Sequence, residues 1–312
     1  MKKILNIVNS DAMIKKLTTC NIPGLFLAWQ DFLHEGPVPK HHSLESLSSI
    51  RAHYIAQKGM GSIESIHQNF KTRNATLHAY RKYEKVILWF EHDLYDQLQL
   101  IQILDWFGKY ASSSHGIYLI QSSTPLLYQD RTKLQARLIY HREAVTHAHL
   151  ITARKAWSAF CASTPEAWFK LLHDDTSALP FLKGILIRML EEYPNTINGL
   201  SRTAHQALLI IDDGVHHPNK IYARFQSTEV RPFMGDVLFW DILQQLINRD
   251  ALRRYDRDRQ LGITPLGKAL LQGQDDWLAL NEVDFWLGGV HQQANRIWRW
   301  DIAQQRPILI HH

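Results

Sequence analysis

The chain has 312 residues, of which 45% are hydrophobic and 21% charged, and its formal net charge is +5. This composition is typical of a globular protein with a large core, and the excess of positive charge permits nucleic-acid binding. No run of about 18 uncharged apolar residues is present, so the sequence predicts no membrane span. Cys20 and Cys161 lie far apart and form no CxxC pair, which argues against a disulfide framework and favours a cytoplasmic protein.

Over residues 1–129, apolar runs typical of strands alternate with segments of helical spacing. The runs expected to form strands are 3–8, 25–29, 85–90 and 116–121. Helices are predicted at 12–19, 43–80 and 96–110, and Gly59 and Gly61 mark a break inside the second. Strands that alternate with helices in this way predict an α/β domain, an open parallel sheet with helices on both faces.

The rest of the chain has a different character. Residues 130–198 show mostly helical spacing and predict a helical connector. From 199 to 312, three helices are predicted at 200–211, 219–225 and 235–247, followed by two short strands at 251–255 and 261–264. This order is the plan of a winged helix, so we predict a winged-helix-like α+β domain that continues into a short helix at 265–271.

The C-terminal tail is dense in tryptophan, with Trp277, Trp286, Trp298 and Trp300. Residues 297–300 alternate as a strand would, which predicts Trp298 and Trp300 on one face and Arg299 on the other. Tryptophans of this kind can stack on bases or line a ligand pocket. We favour the alternative, in which they fasten the tail to the body of the protein.

Polar side chains gather where three of the predicted strands end. They are Asp11 after the first strand, Asp31, His34 and Glu35 after the second, and Glu91, His92 and Asp93 after the third. In an open parallel sheet, ligands bind outside the carboxyl ends of the strands, so we expect these residues to line one cleft. Helix capping alone would also account for Asp11, and for Asp96 at the start of the next helix.

Two kinds of chemistry fit this group of residues. Hard divalent cations such as magnesium bind carboxylate oxygens together with substrate phosphates, and the predicted metal ligands are Asp11, Asp31, Glu91 and Asp93. Alternatively, crowded carboxylates raise one another's pKa values and exchange protons with a nearby histidine near neutral pH. The predicted catalytic residues are Asp31, His34, Glu35, Glu91, His92 and Asp93. Either chemistry predicts an enzyme that acts on a phosphate ester, a nucleotide or a nucleic acid.

The C-terminal domain supports a competing hypothesis, a ligand-sensing regulator. In that hypothesis the α/β domain binds a small molecule and the winged helix binds DNA. Five arginines surround the predicted wing: Arg249, Arg253, Arg254, Arg257 and Arg259. However, Asp250, Asp256 and Asp258 lie between them and partly neutralise the positive charge that phosphate binding requires. The third predicted helix has two acids and no base, which is unfavourable for a helix that reads a DNA groove.

Common phosphate-binding and nucleophile motifs are missing from the sequence. It contains no GxGxxG, no GxxxxGK followed by Ser or Thr, and no GxSxG. A dinucleotide-binding fingerprint, a P-loop and a nucleophile elbow are therefore not expected.

Several longer stretches carry a resemblance to a known family. The most specific are WQDFLHEGP at residues 29–37 and LWFEHDLYDQL at residues 88–98. Shorter ones are IVNSD at 7–11, ALPFL at 178–182, FMGD at 233–236 and WLGGV at 286–290. Together they resemble an uncharacterised bacterial family catalogued as domain of unknown function 1835, with a C-terminal companion catalogued as 3658. The family usually has glycine where this chain has Ser10. The resemblance implies the domain order and no particular activity.

Overall fold

The computed structural model describes residues 3–111, 116–255 and 260–310. The chain divides into two compact units, which we call unit 1 and unit 2. Unit 1 comprises residues 1–185 and 288–290, and unit 2 comprises residues 186–287 and 291–312. None of the described helices has both the length and the hydropathy that a membrane crossing requires.

Unit 1 is built around a five-stranded sheet. The strands in this part of the chain are β1 (Ile4–Val8), β2 (Leu25–Ala28), the two-residue β3 (Gly36–Pro37), β4 (Lys85–Glu91), β5 (Ile117–Ser122) and β6 (Glu143–Ala144). The order across the sheet is β2-β1-β4-β5-β6, with β6 antiparallel to its neighbour and the other four strands parallel. Val8 pairs with both Ala28 and Trp89, so the carboxyl ends of three adjacent strands lie level. The predicted mixed α/β fold with parallel strands is confirmed.

The strand order reverses direction between β1 and β4. From β1 the chain moves outward to β2, and it then returns to form β4 on the opposite side of β1. Such a reversal opens a crevice at the carboxyl ends of the two strands, because the connections that follow them lead away in opposite directions. The residues that follow Val8 and Glu91 therefore occupy the favoured ligand position of this sheet.

Helices alternate with these strands along unit 1. They are α1 (Asp11–Thr19), α2 (Leu44–Gln57), α3 (Ile63–His78), α4 (Leu94–Tyr110), α5 (Arg131–Tyr140), α6 (His147–Phe160), α7 (Glu166–Lys170) and, running into unit 2, α8 (Leu182–Leu190). The predicted break between α2 and α3 is confirmed, and Gly59 and Gly61 both have positive φ there. Ser10, Ser43 and Ser62 cap the first three helices by accepting a backbone N–H, as serine does at this position.

The core of unit 1 lies on both faces of the sheet. On one face, Val8 and Trp89 pack in one cluster with Leu17 of α1 and Leu134 of α5. Side chains alternate along a strand, so Leu5, Ile7, Leu88 and Phe90 are buried on the other face. The helix α4 is buried along most of its length and packs against α6. This burial fixes the helix whose first turn carries the candidate site.

Except for residues 288–290, where one strand ends and the next begins and which belong to unit 1, unit 2 contains the remaining helices and strands. They are α9 (Arg202–Asp212), α10 (Pro218–Thr228), α11 (Asp236–Asn248), β7 (Leu252–Tyr255), β8 (Gln260–Ile263), α12 (Pro265–Leu271), β9 (Asp284–Gly288), β10 (Val290–Gln293), β11 (Ile297–Asp301) and β12 (Arg306–Ile310). The predicted order of three helices, a hairpin and a short helix is present, with β7 and β8 antiparallel. The turn between them, with Arg257 and Arg259, lies outside the described residues. The strands β11 and β12 form a second antiparallel pair.

Candidate active site

Three carboxylates stand where β4 ends and α4 begins: Glu91, Asp93 and Asp96. Asp93 caps α4, and its Oδ1 accepts the backbone N–H of Asp96 at 3.0 Å. The two oxygens of Asp96 accept from Asn9 Nδ2 at 2.7 Å and from the backbone N–H of Glu91 at 2.5 Å. Because Asn9 follows β1, Asp96 connects the ends of β1 and β4 across the crevice. We call these three residues the carboxylate cluster.

Burial and mutual repulsion favour the protonated form of the carboxylate cluster. Burial raises the pKa of Asp93 to about 7, and the neighbouring Glu91 charge adds to this effect. Burial, followed by the charges of Asp93 and Glu91, raises the pKa of Asp96 well above its ordinary value. Burial also raises the pKa of Glu91, against the opposing effects of the Leu126 N–H and Arg137. Within the described part of the chain none of the three forms an ion pair, so the cluster retains a proton near neutral pH.

Tyr95 connects the carboxylate cluster to the residues that follow β2. Its hydroxyl donates to the backbone oxygen of Asn9 at 3.3 Å. Burial raises the pKa of Tyr95, and the charges of Asp96, Asp31 and Asp93 raise it further, so the phenol remains a hydrogen-bond donor. The buried His34 ring meets Tyr95 edge-on, with 6.3 Å between ring centroids.

Asp31 is held by a buried arginine on α2. The Arg51 Nε donates to Asp31 Oδ1 at 2.9 Å, and a second guanidinium nitrogen lies 2.8 Å from the same oxygen. Arg51 also donates to the backbone oxygens of Glu35 at 2.6 Å and Phe32 at 3.1 Å. Both charged side chains are almost completely buried. This arginine therefore neutralises Asp31 and at the same time fixes the loop that carries His34.

Glu35 points toward α2 rather than toward the carboxylate cluster. Its Oε2 accepts from the Tyr54 hydroxyl at 3.0 Å and lies 3.4 Å from Lys58 Nζ. Burial, and after it the Glu35 charge, raises the pKa of Tyr54, so this hydroxyl also stays protonated. The next residue, Gly36, has a φ of +78° and lies against the Tyr54 ring.

The remaining predicted residues are placed differently. Asp11 is exposed in the first turn of α1, where an acidic residue favours the helix dipole. Among the described contacts none joins Asp11 to the carboxylate cluster. The half-buried His92 ring packs edge-on against Phe181, with 5.8 Å between centroids. The structure thus groups Glu91 and Asp93, and it places His34 against Tyr95 of the same helix turn. It binds Asp31 to Arg51 and leaves Asp11 at the surface.

Four residues of the site are not among the predicted candidates. Capping alone accounts for Asp96 in the sequence, and no pattern indicates its contact with Asn9. Asn9 stands in the expected loop without an assigned role. Arg51 lies in the stripe of α2 that otherwise buries Leu47 and Ile55, and a cation at such a position signals a buried acidic partner. For Tyr95, no sequence pattern indicates a contact with Asn9.

A cavity of about 560 Å3 lies beside the carboxyl end of β5. Its lining includes Thr124, Tyr128, Lys133, Arg137 and His141. Arg137 lies close enough to Glu91 to lower the pKa of that carboxyl. The cavity therefore offers cationic groups next to the carboxylate cluster.

The side chains predicted as metal ligands are not arranged as a metal centre. Among the residues that the structure describes, no three His, Cys, Asp or Glu side chains are placed to hold a metal ion. Asp31 is already bound by Arg51, and both Asp96 oxygens accept hydrogen bonds.

The chain was also compared with known proteins. No family model and no curated protein matches it. The functional assignment therefore depends on the geometry of the described residues.

Proposed function

We propose that the protein is an enzyme that performs acid–base chemistry on a phosphate ester or nucleotide at the carboxyl ends of β1 and β4. The observation that carries the proposal is the carboxylate cluster, in which Asp93 and Asp96 are buried and Glu91 is half-buried. The cluster forms no ion pair among the described residues and stands at the reversal of strand order. Burying carboxylates without ion pairs is unfavourable for folding, so their retention at the favoured ligand position points to catalysis.

Each residue of the cluster has a distinct role in this proposal. Asp93, with a pKa of about 7, accepts or donates the proton, because a group that titrates near the working pH is the most effective acid–base catalyst. Asp96 positions Asp93, since it is itself held by Asn9 and the backbone of Glu91. Tyr95 and His34 supply a hydroxyl and an imidazole beside the reacting groups.

The substrate class is inferred from the cavity beside Glu91. Lys133, Arg137 and His141 are the side chains that a phosphate group would contact there, and Tyr128 adds a hydroxyl or an aromatic face. A ligand whose phosphate occupies this cavity reaches toward Glu91, because Arg137 lies near both. A phosphate ester or a nucleotide matches this combination of cations and adjacent acids.

The sequence also predicts a metal-assisted reaction, and that prediction is tested separately. The proposed proton transfer is assigned to the carboxylates and does not require a metal ion. Calorimetric titration of magnesium chloride into the wild type and into Asp93→Ala tests the metal. Heat of binding that is present in the wild type and lost in the variant would return a metal to the proposal.

Hydrolysis of bis-p-nitrophenyl phosphate, p-nitrophenyl phosphate and a panel of nucleotides tests the function. We expect turnover whose rate depends on a group with a pKa near 7, and a loss of about 100-fold or more in Asp93→Asn. Asp175→Asn is the matched control, because Asp175 is exposed and also accepts a backbone N–H. Equal rates in all three proteins, or no turnover of any phosphate ester, would contradict the proposal.

A second candidate function comes from unit 2. We propose that α9 to β8 form a winged-helix-like domain and that its wing contacts DNA. The exposed Arg253 and Arg254 on β7 support this, since a wing places basic residues against the DNA backbone. Against it, Asp236 and Asp241 are the only charged residues of α11.

Fluorescence anisotropy with duplex DNA at several salt concentrations tests this second candidate. We expect binding that weakens steeply with salt and that is lost in Arg253→Glu/Arg254→Glu. Arg306→Glu, at another exposed arginine of unit 2, should bind DNA as the wild type does. Salt-independent binding, or none at low salt, would remove DNA binding from the account.

The stretches that resemble a known family coincide with the proposed site. The two most specific stretches, residues 29–37 and 88–98, contain the loop held by Arg51 and the whole carboxylate cluster. We therefore infer that the chain is a member of the family catalogued as domain of unknown function 1835. A solved structure of a member with the same Asp96–Asn9 contact would support this inference, and a different fold would overturn it.

A further inference from the structure

A second cavity, of about 600 Å3, lies against α6 and α7 in unit 1. It is separate from the carboxylate cluster. Arg154, which lines the cavity, lies near Asp105 of α4. Asp105 is nine residues beyond Asp96 on this helix, which corresponds to about 14 Å along the helix axis. This cavity has no role in the function proposed above.

Positive charge dominates the lining of the second cavity. Lys40, Arg154, Lys155 and Lys170 line it, together with the single acid Asp174. Asp174 lies 3.7 Å from Lys155. Within the described residues, no carboxylate lies at ion-pair distance from the other three cations. A concave surface with this excess of positive charge concentrates anions.

Apart from Ser158, apolar groups form the rest of the lining. Ile151, Ala159 and Leu171 are among them, and no aromatic side chain lines the cavity in the part of the chain that the structure describes. Binding sites for small molecules have volumes of roughly 300–1,000 Å3 and combine an apolar wall with a few polar groups. Single-stranded nucleic acids instead need an extended groove with aromatic stacking platforms.

We propose that the second cavity binds a small organic polyphosphate, such as a nucleoside diphosphate. The phosphates contact Arg154, Lys170 and Lys40, and the apolar wall at Ile151 and Leu171 covers the ring system. The inference goes beyond the proposed function, because it concerns a different cavity and holds whether or not the carboxylate cluster is catalytic.

Titration of ADP into the full chain, followed by isoleucine methyl NMR, tests the inference. We expect the Ile151 methyl signal to shift saturably with ADP and not with adenosine. Arg154→Glu/Lys170→Glu should weaken ADP binding about tenfold or more, because two attractive charges become repulsive. Both side chains are exposed, so the variant should fold. Ala167→Trp should also abolish the shift, since it fills the cavity without changing its charge.

Two control variants separate binding in this cavity from a general effect of charge and from binding beside Glu91. Lys71→Glu reverses an exposed cation on α3 and should bind ADP as the wild type does. Lys133→Glu reverses a cation in the cavity beside Glu91 and should leave the Ile151 shift unchanged. Equal ADP affinity in Arg154→Glu/Lys170→Glu and the wild type would overturn the inference. So would an Ile151 shift that is lost only in Lys133→Glu, or a single-stranded oligonucleotide that binds more tightly than ADP.

Discussion

Two buried aspartates of unit 1 are stabilised in opposite ways. Asp31 lies against the Arg51 guanidinium, so its negative charge has a cation beside it. Asp96 accepts only from neutral donors, an amide side chain and a backbone N–H, and stands next to two further acids. Neighbouring acids favour the protonated form of a buried carboxylate such as Asp96. This difference assigns a structural role to Asp31 and a chemical role to the carboxylate cluster.

The raised pKa of Asp93 makes stability depend on pH. Below about pH 4 both the folded and the unfolded chain bind the proton, and Asp93 contributes no difference. Between its ordinary pKa of 3.8 and its folded pKa of about 7, only the folded chain holds the proton, so the free energy of unfolding falls as pH rises. Above pH 7 the penalty is complete, on the order of 4 kcal/mol.

Asp93→Asn should remove this penalty. Asparagine does not ionise and caps helices as well as aspartate does, so the variant keeps the contact with the Asp96 N–H. We expect it to be more stable than the wild type at pH 8 and equally stable at pH 4, measured by urea denaturation. Asp175→Asn should show no such gain at pH 8, because hydrogen bonds from Ser177 lower the pKa of Asp175. A variant that is less stable at pH 8 would show that Asp93 is ionised and stabilising in the fold.

Breaking the buried ion pair should be strongly destabilising. Arg51→Met leaves Asp31 buried without its cation, and we expect a loss of about 3–5 kcal/mol in the free energy of unfolding. The double variant Asp31→Leu/Arg51→Met removes both charges. Its free energy of unfolding should fall by less than that of Arg51→Met alone. Urea denaturation of the two variants measures this. A double variant that is less stable than Arg51→Met would mean that the pair contributes net stability beyond mutual neutralisation.

At the scale of secondary-structure elements, the loop between β2 and α2 depends on one glycine. Gly36 has a φ of +78°, which favours glycine, and a Cβ at this position would collide with the Tyr54 ring. Tyr54 in turn donates to Glu35. The collision explains why glycine follows His34-Glu35 in the HEGP stretch.

Gly36→Ala should therefore lower the free energy of unfolding by more than the positive φ alone would explain. We expect about 2–4 kcal/mol, the sum of the φ penalty and displacement of Tyr54. Gly59→Ala is the matched control, because Gly59 has a φ of +74° and nothing lies within 4 Å of its added Cβ. It should lose only about 1 kcal/mol. Equal losses in the two variants, measured by thermal denaturation, would show that Tyr54 yields without cost.

The tail strand β11 is buried on both faces. Trp298 and Trp300 are buried, as expected for side chains that fasten the tail, and Arg299 on the other face is buried too. Arg299 forms an ion pair with Asp276. The Gln292 side chain bonds both backbone groups of Trp298, at 2.8 and 2.9 Å, in the manner of a neighbouring strand.

Truncation of the tail tryptophans should destabilise the protein. Trp300→Ala should lower the free energy of unfolding by about 3–5 kcal/mol, as loss of a buried tryptophan does. Trp298→Phe should lower the free energy of unfolding by less, because the Trp298 Nε1 has no hydrogen-bond partner among the described residues. Unchanged melting of Trp300→Ala together with loss of ligand or nucleic-acid binding would make the tail functional instead.

Across the whole molecule, the hydrophobic periodicity of the sequence predicted the helices and strands better than it predicted the residues of the candidate site. Buried strands such as β4 and helices such as α4 and α12 follow directly from apolar spacing, and so does the parallel arrangement of β1, β2, β4 and β5. The short strands β3 and β6 were not predicted, since two residues carry no period. Within the site, chain position predicted one cleft shared by Glu91, Asp93, Asp31 and Asp11, whereas Asp31 is bound by Arg51 and Asp11 is exposed. The partners Arg51 and Asn9 depend on tertiary contacts across 20 and 87 residues, which spacing along the chain cannot reveal.

The central claim is that the carboxylate cluster holds a proton near neutral pH, and carbon-13 NMR titration of the side-chain carboxyls tests it most directly. We predict an aspartate carboxyl that titrates near pH 7 in the wild type and is missing from the spectrum of Asp93→Asn. Assignment of Glu91 and Asp96 in the same spectra shows whether they titrate above their ordinary values as well. Titration of all three carboxyls below about pH 5 would contradict the account.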